Sequence, residues 1–118
     1  MQVIFPTKAF ATRIENKHGG GVPDVHIVWN GFAFWIELKT AKSSKVKISP
    51  HQIAWHTAYW ARGGKSFYLV KHLSTSDIFL FEGEKGVDLL EKGIFETEGS
   101  RFKNLAPLWE FLAPLAPQ

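Results

Sequence analysis

Residues 19–39 read GGGVPDVHIVWNGFAFWIELK: a glycine loop, an apolar run, Asn30-Gly31 and a second apolar run. Asn and Gly both tolerate the positive φ of a type I′ turn, so the stretch predicts a tight β-hairpin. With a two-residue loop, Trp29 faces Phe32. Counting outward, Val28 pairs with Ala33, Ile27 with Phe34, His26 with Trp35 and Val25 with Ile36. Asp24 then falls opposite Glu37. Opposed residues project to the same side of a ladder, and alternate residues along a strand share that side. Lys39 therefore joins Asp24 and Glu37. The other side carries Val25, Ile27, Trp29, Phe32, Phe34, Ile36 and Leu38, an unbroken apolar face. A slip of one residue would push the acids into the core, so the register is strongly specified.

Two opposed carboxylates repel each other and destabilise a sheet. A cation beside them relieves this. Hard oxygen ligands in a chain without Cys suit Mg2+, with Mn2+ as a substitute. An E-x-K pair alone is also what ordinary surface charges look like, with Asp24 capping its strand. The register, and the segments downstream of the hairpin, separate the two readings.

The whole chain sets bounds on these readings. Its 118 residues suit one domain, 1–118, with a modest core. It is 45% hydrophobic, so it is not a disordered chain, and it has no Cys, which excludes disulfides and thiolate metal sites. No secretion signal and no apolar run of membrane-spanning length is visible, so a cytoplasmic protein without a membrane partner is expected. Fourteen Lys and Arg against eleven Asp and Glu give a net charge of +3, compatible with a polyanionic partner.

Outward from the hairpin, residues 6–16 (PTKAFATRIEN) suggest a short helix. Thr7 stands as its cap, and Phe10, Ile14 and Ala11 form its stripe. The glycines 19–21 permit a close backbone approach, to a phosphate or to the hairpin, or make a plain connector. Residues 40–48 (TAKSSKVKI) hold Lys42, Lys45 and Lys47 and no acid. With Lys17, they are candidate phosphate contacts, or the charges of a solvated loop. Ser49, Pro50 and Gln52 sign the start of a helix as N-cap, N1 and capping-box partner, and Gly63 signs its end. Ile53, Trp60 and the row Ala54, Ala58, Ala61 are expected to pack on the sheet. Gln52, Trp55, His56 and Tyr59 fall on other faces, and Trp55 and Tyr59 are read as core or interface residues rather than base-stacking platforms.

Residues 65–72 and 77–82 are expected to be strands. A short helical turn comes next at 87–91, residues 94–103 read as irregular, and a final apolar helix is expected at 105–112. The order is α-β-β-α-β-β, a core at about 7–82 with a tail at about 83–118. The apolar tail residues Leu108, Trp109 and Leu112 suggest a surface to bury, hence a homodimer, or a cover for the chain's own core.

Pro23-Asp24, the acid-x-lysine Glu37-Leu38-Lys39 and the Ser-Pro-x-Gln helix start together resemble the PD-(D/E)xK nuclease superfamily. The likeness is to VRR-NUC domains and small phage and archaeal Holliday-junction resolvases, and it covers roughly residues 7–72. It implies a restriction-endonuclease-like α/β fold with a mixed sheet, and Mg2+-dependent hydrolysis of DNA, with branched DNA as the expected substrate. It also implies that Asp24, Glu37, the Leu38 carbonyl and Glu15 hold the metal. Lys39 would orient or deprotonate water or offset phosphate charge, and Gln52 would support the site. The alternatives are a nuclease of other specificity, acting as an exonuclease or in a flap- or restriction-like way, and a non-catalytic DNA-binding module.

Overall fold

A computed structural model describes residues 3–15 and 20–113. Lys17 lies outside the described residues. The hairpin forms from β2 (Val25–Trp29) and β3 (Phe32–Ala41), in the register counted from the sequence, from Trp29 opposite Phe32 to Val25 opposite Ile36. Its turn has Asn30 at φ 52° and Gly31 at φ 76°, the left-handed pair a type I′ turn needs.

The segment expected to be the first helix is a strand instead, β1 (Phe10–Arg13). It pairs antiparallel with β2, Phe10 opposite Val28 and Arg13 opposite Val25. The i, i+4 spacing of Phe10 and Ile14 is a real helical signal, but β2 has a second edge whose N–H and C=O groups need partners. Pairing satisfies them, and the ladder continues past the strand where Ile14 N–H donates to the Asp24 carbonyl at 2.8 Å.

Among the described residues the sheet has six strands in chain order, adding β4 (Ser66–His72), β5 (Ile78–Glu82) and β6 (Ser100–Phe102). Of these strands β3 and β4 run parallel, joined by the crossover helix α1 (Pro50–Ala61), and the other described neighbours are antiparallel. The segment read as irregular thus contributes β6. Three residues carry too little pattern to announce a strand, and β6 is held by side chains far from it. Buried Asp77 accepts from Arg101 Nε at 2.7 Å and from Lys103 Nζ at 3.2 Å. The hydrogen bond from Arg101, then Lys103, keeps the Asp77 carboxyl below its ordinary value.

Both faces of the sheet carry helices over their centre. One carries Val25, Ile27, Phe34, Ile36, Phe67 and Leu69 under α3 (Leu105–Leu112). Leu108, Trp109 and Leu112 are buried there, and Trp109 Nε1 donates to the Ile4 carbonyl at 2.9 Å. The apolar stripe that suggested a dimer surface is therefore spent on the chain's own core. The other face carries Tyr68, Val70, Phe79 and Phe81 under α1 and α2 (Gly86–Lys92), with Leu89 at the centre.

Helix α1 begins and ends as its signals foretell. Ser49 and Gln52 make a full capping box. At the far end Gly63 N–H donates to Trp60 O and Gly64 N–H to Tyr59 O, a Schellman ending with Gly63 at φ 87°. Its rotation differs from expectation. The row Ala54, Ala58, Ala61 is exposed, and His56 is fully buried against the sheet. Alanines gain little from burial, so larger side chains set the helix's rotation. No helix among the described residues is long and apolar enough to cross a membrane.

Because Leu108 and Leu112 are buried in one continuous core, Leu108→Ala should cost about 2–5 kcal/mol. Urea unfolding should show this as a lower midpoint at unchanged slope. A variant matching wild type would mean α3 does not cover the sheet.

Candidate active site

The turn from the glycine loop into β2 delivers Asp24, and the middle of β3 delivers Glu37 and Lys39. Asp24 stands one residue before the first β2–β3 pair, Val25 and Ile36, so the next pair across is Asp24 and Glu37. Asp24 Oδ2 accepts from the Leu38 N–H at 2.8 Å, which fixes the carboxylate against β3. Glu37 is buried and Asp24 and Lys39 are half-buried. The structure thus brings Asp24, Glu37, Lys39 and the Leu38 backbone together at one end of the hairpin.

Gln52 completes the group from α1. Its Oε1 accepts from Lys39 Nζ at 2.9 Å and from the Ser49 N–H at 3.0 Å. One carbonyl oxygen therefore closes the helix cap and holds the lysine. The glycine loop abuts the same helix end. Gly21 has φ 74°, and a Cβ there would fall 2.1 Å from the His51 carbonyl oxygen, so only glycine fits. The close approach of Gly21 is to α1.

Three polar residues outside the expected set lie beneath this group. His56 is one helical turn after Gln52, and its Nδ1 meets Ser66 Oγ at 2.6 Å. Its ring packs on Tyr68, the residue level with Glu37 on β4, with centroids 4.2 Å apart. His56 Nε2 and Tyr68 Oη are buried with no hydrogen-bond partner among the described residues. Burial, and then the nearby Lys39, push His56 down to about 4, against a weaker pull from Asp24. Burial, and then Glu37, push Tyr68 up. The i, i+4 spacing from Gln52 was the sequence signal for His56.

Glu15 is exposed and follows Ile14, whose N–H bonds the Asp24 carbonyl, so it lies near Asp24 along the chain but on no helix. No group of three His, Cys, Asp or Glu side chains that could hold a metal comes together among the described residues. The donor set nevertheless fits Mg2+, which commonly uses one or two carboxylates and completes its shell with water and substrate phosphate. Asp24, Glu37 and the Leu38 carbonyl are all hard oxygen donors.

A basic cleft of about 620 Å³ opens beside Lys39, lined by Lys42, Lys45 and Lys47 with Leu38, Thr40 and Ser43. Lys42 and Lys47 are exposed; Lys45 Nζ instead donates to the Glu91 carbonyl at the end of α2, at 2.6 Å.

No family model matches the chain, and no curated protein matches it. Among solved structures it is similar to Hjc, a Holliday junction resolvase from the archaeal hyperthermophile Archaeoglobus fulgidus. The TM-score is 0.53 at 17% identity, over 86% of this chain and 80% of that one. At that identity the likeness is one of fold, and the restriction-endonuclease-like mixed α+β class expected from the sequence is the class observed.

His56 titrates near 6.5 when exposed and near 4 when folded, so between these values the unfolded chain binds the extra proton. Stability must then fall as pH drops through that window. The loss should be on the order of 3 kcal/mol across it. In EDTA, the His56→Gln variant should show a shallower fall of Tm from pH 6.5 to 4; an unchanged slope would place His56 in an unperturbed setting.

Proposed function

We propose that the chain is a metal-dependent endonuclease that hydrolyses phosphodiester bonds of branched DNA, in the manner of a junction resolvase. The observation that carries this is the placement of Asp24 and Glu37 abreast at a sheet end with Lys39 Nζ held beside them by Gln52. The likeness in fold to a Holliday junction resolvase supports it, as does the basic cleft that continues from Lys39.

Asp24, Glu37 and the Leu38 carbonyl are the residues that would hold Mg2+ or Mn2+, and Glu15 would have to close on the two acids to join them. When bound, the metal acidifies a water and offsets charge on the phosphate. The chain's own groups do the rest. Asp24 is oriented by the Leu38 N–H, so its carboxylate need not reorganise as charge develops. Lys39 Nζ is held in a fixed position, where as an ammonium it orients the attacking water or neutralises phosphate charge, and where only as a neutral amine would it take the water's proton. His56 is neutral at pH 7 and adds no further cation beneath Lys39. Lys42 and Lys47 contact phosphates beyond the cut, with Lys17 a further contact.

Branched DNA is favoured because the lysines beside the acids offer contacts to phosphate charge, and so to the shape of the DNA. A four-way junction has two-fold symmetry, which a homodimer with two such sites would match. The surface joining the two copies would be one other than Leu108, Trp109 and Leu112, which are buried.

With Mg2+, the protein should nick a labelled four-way junction symmetrically on opposing strands and spare linear duplex. Progressive digestion from ends would replace the junction reading with an exonuclease. Asp24→Ala and Glu37→Ala should each abolish cleavage with the fold intact, and Lys39→Ala should lose cleavage while still binding DNA. Near wild-type rates for either acid variant at saturating Mg2+ would remove the metal assignment.

DNA affinity should depend steeply on salt. Replacing Lys42 and Lys47 together by Ala should flatten the slope of log K against log salt by about 1.8, at roughly 0.9 per lost phosphate contact. Lys45→Ala should change it less, because its ammonium is tied to α2. An unchanged slope in the double variant would place this cleft away from DNA.

A further inference from the structure

The face of the sheet that bears Asp24 and Glu37 is roofed by α1 and α2 over its centre and left open over β1 and β2. The ladders put Phe10, Thr12, His26, Val28, Ala33 and Trp35 on that open part. Phe10 is 73% exposed and Val28 39%, Thr12 and Ala33 are exposed, and His26 and Trp35 are half-buried. None of the six is acidic. The flank of α1 adds Trp55 and Tyr59, which the sequence alone suggested as core or interface residues and which are half-buried.

The rings touch in a row. His26 and Trp35 have centroids 4.6 Å apart, Trp35 and Trp55 5.5 Å, and Trp55 and Tyr59 are stacked at 4.8 Å. Gly64 makes room for the last of them, since a Cβ there would come within 2.4 Å of the Tyr59 ring. Trp35 lies two residues before Glu37 on the same face, about 7 Å along the strand. A strand bound at the acidic pair therefore reaches the first ring with its next nucleotide. The lysine cleft adjoins the same pair through Lys39.

We propose that this open face is a stacking shelf for unpaired bases flanking the phosphate held at Asp24 and Glu37. It rests on the nuclease reading and adds to it a preference for DNA whose bases are unpaired beside the cleavage position, as they become where a branch point opens. Three features favour a nucleic acid as the occupant: partly exposed rings accept any base face, the surface carries no acid to repel phosphate, and it runs into the site where a phosphate would bind. A duplex keeps its bases stacked inside and cannot use the shelf.

The test is equilibrium binding of the full chain in EDTA, read by fluorescence anisotropy. The probes are a dye-labelled single strand and the same strand carrying consecutive abasic sites, which retains every phosphate. Wild type should prefer the strand with bases by roughly five- to a hundredfold per stacked base. Phe10→Ala and Trp55→Ala should narrow that preference and leave affinity for the abasic strand unchanged. Phe10 is largely exposed, so its variant keeps the fold even if Trp55→Ala does not. Equal affinity of wild type for the two strands would overturn the shelf. So would a Phe10→Ala variant that keeps the base preference but turns a sedimenting dimer into a monomer, because a second copy would then cover the face. No cleavage is involved, so loss of the base preference with Mg2+-dependent cleavage present sinks the shelf alone. Base preference without any cleavage sinks the nuclease reading instead.

Discussion

The β2–β3 register is the constraint on which the rest depends. It places Val25, Ile27, Phe34 and Ile36 under α3, and in the same stroke sets Asp24 and Glu37 side by side on the opposite face. The core and the candidate site are two sides of one ladder. A slipped hairpin would expose the apolar row and bury the acids, so the site cannot be lost by register error without losing the core as well.

The acids sit at a place the fold would otherwise avoid. Glu37 is buried, beside Tyr68, and above a histidine that burial keeps neutral. Such an arrangement costs stability in a bare chain, because desolvation disfavours every charged form. α1 manages the cost through Gln52, whose single oxygen joins the helix cap to the Lys39 ammonium. The close seat of Gly21 against the His51 backbone holds the Asp24 loop to that same helix end. Three segments distant in sequence are thus fixed relative to one another within one turn of α1.

The surroundings of the acids divide by chemistry. Toward the end of β3 lies the lysine cleft, and toward the hairpin turn lies the open aromatic face. In the proposed reading the first side holds phosphates and the second holds bases, with the reacting bond between them.

The sequence by itself determined the hairpin, its turn and register, the juxtaposition of Asp24, Glu37 and Lys39, both ends of α1 and the extent of α3. Each of these is encoded locally, by turn chemistry, alternation, capping residues or a short apolar period. Tertiary structure decided what local signals leave open. Residues 10–13 became a strand because β2 offered an unpaired edge, although their own spacing suggested a helix. Residues 100–102 joined the sheet because Arg101 and Lys103 clasp a buried Asp77. Leu108, Trp109 and Leu112 turned inward because the sheet had an apolar face to cover. His56 came under Glu37 because α1 takes its rotation from the sheet beneath it. Edges, bare faces and buried charges exist only once the chain has met itself, and no window of sequence contains them.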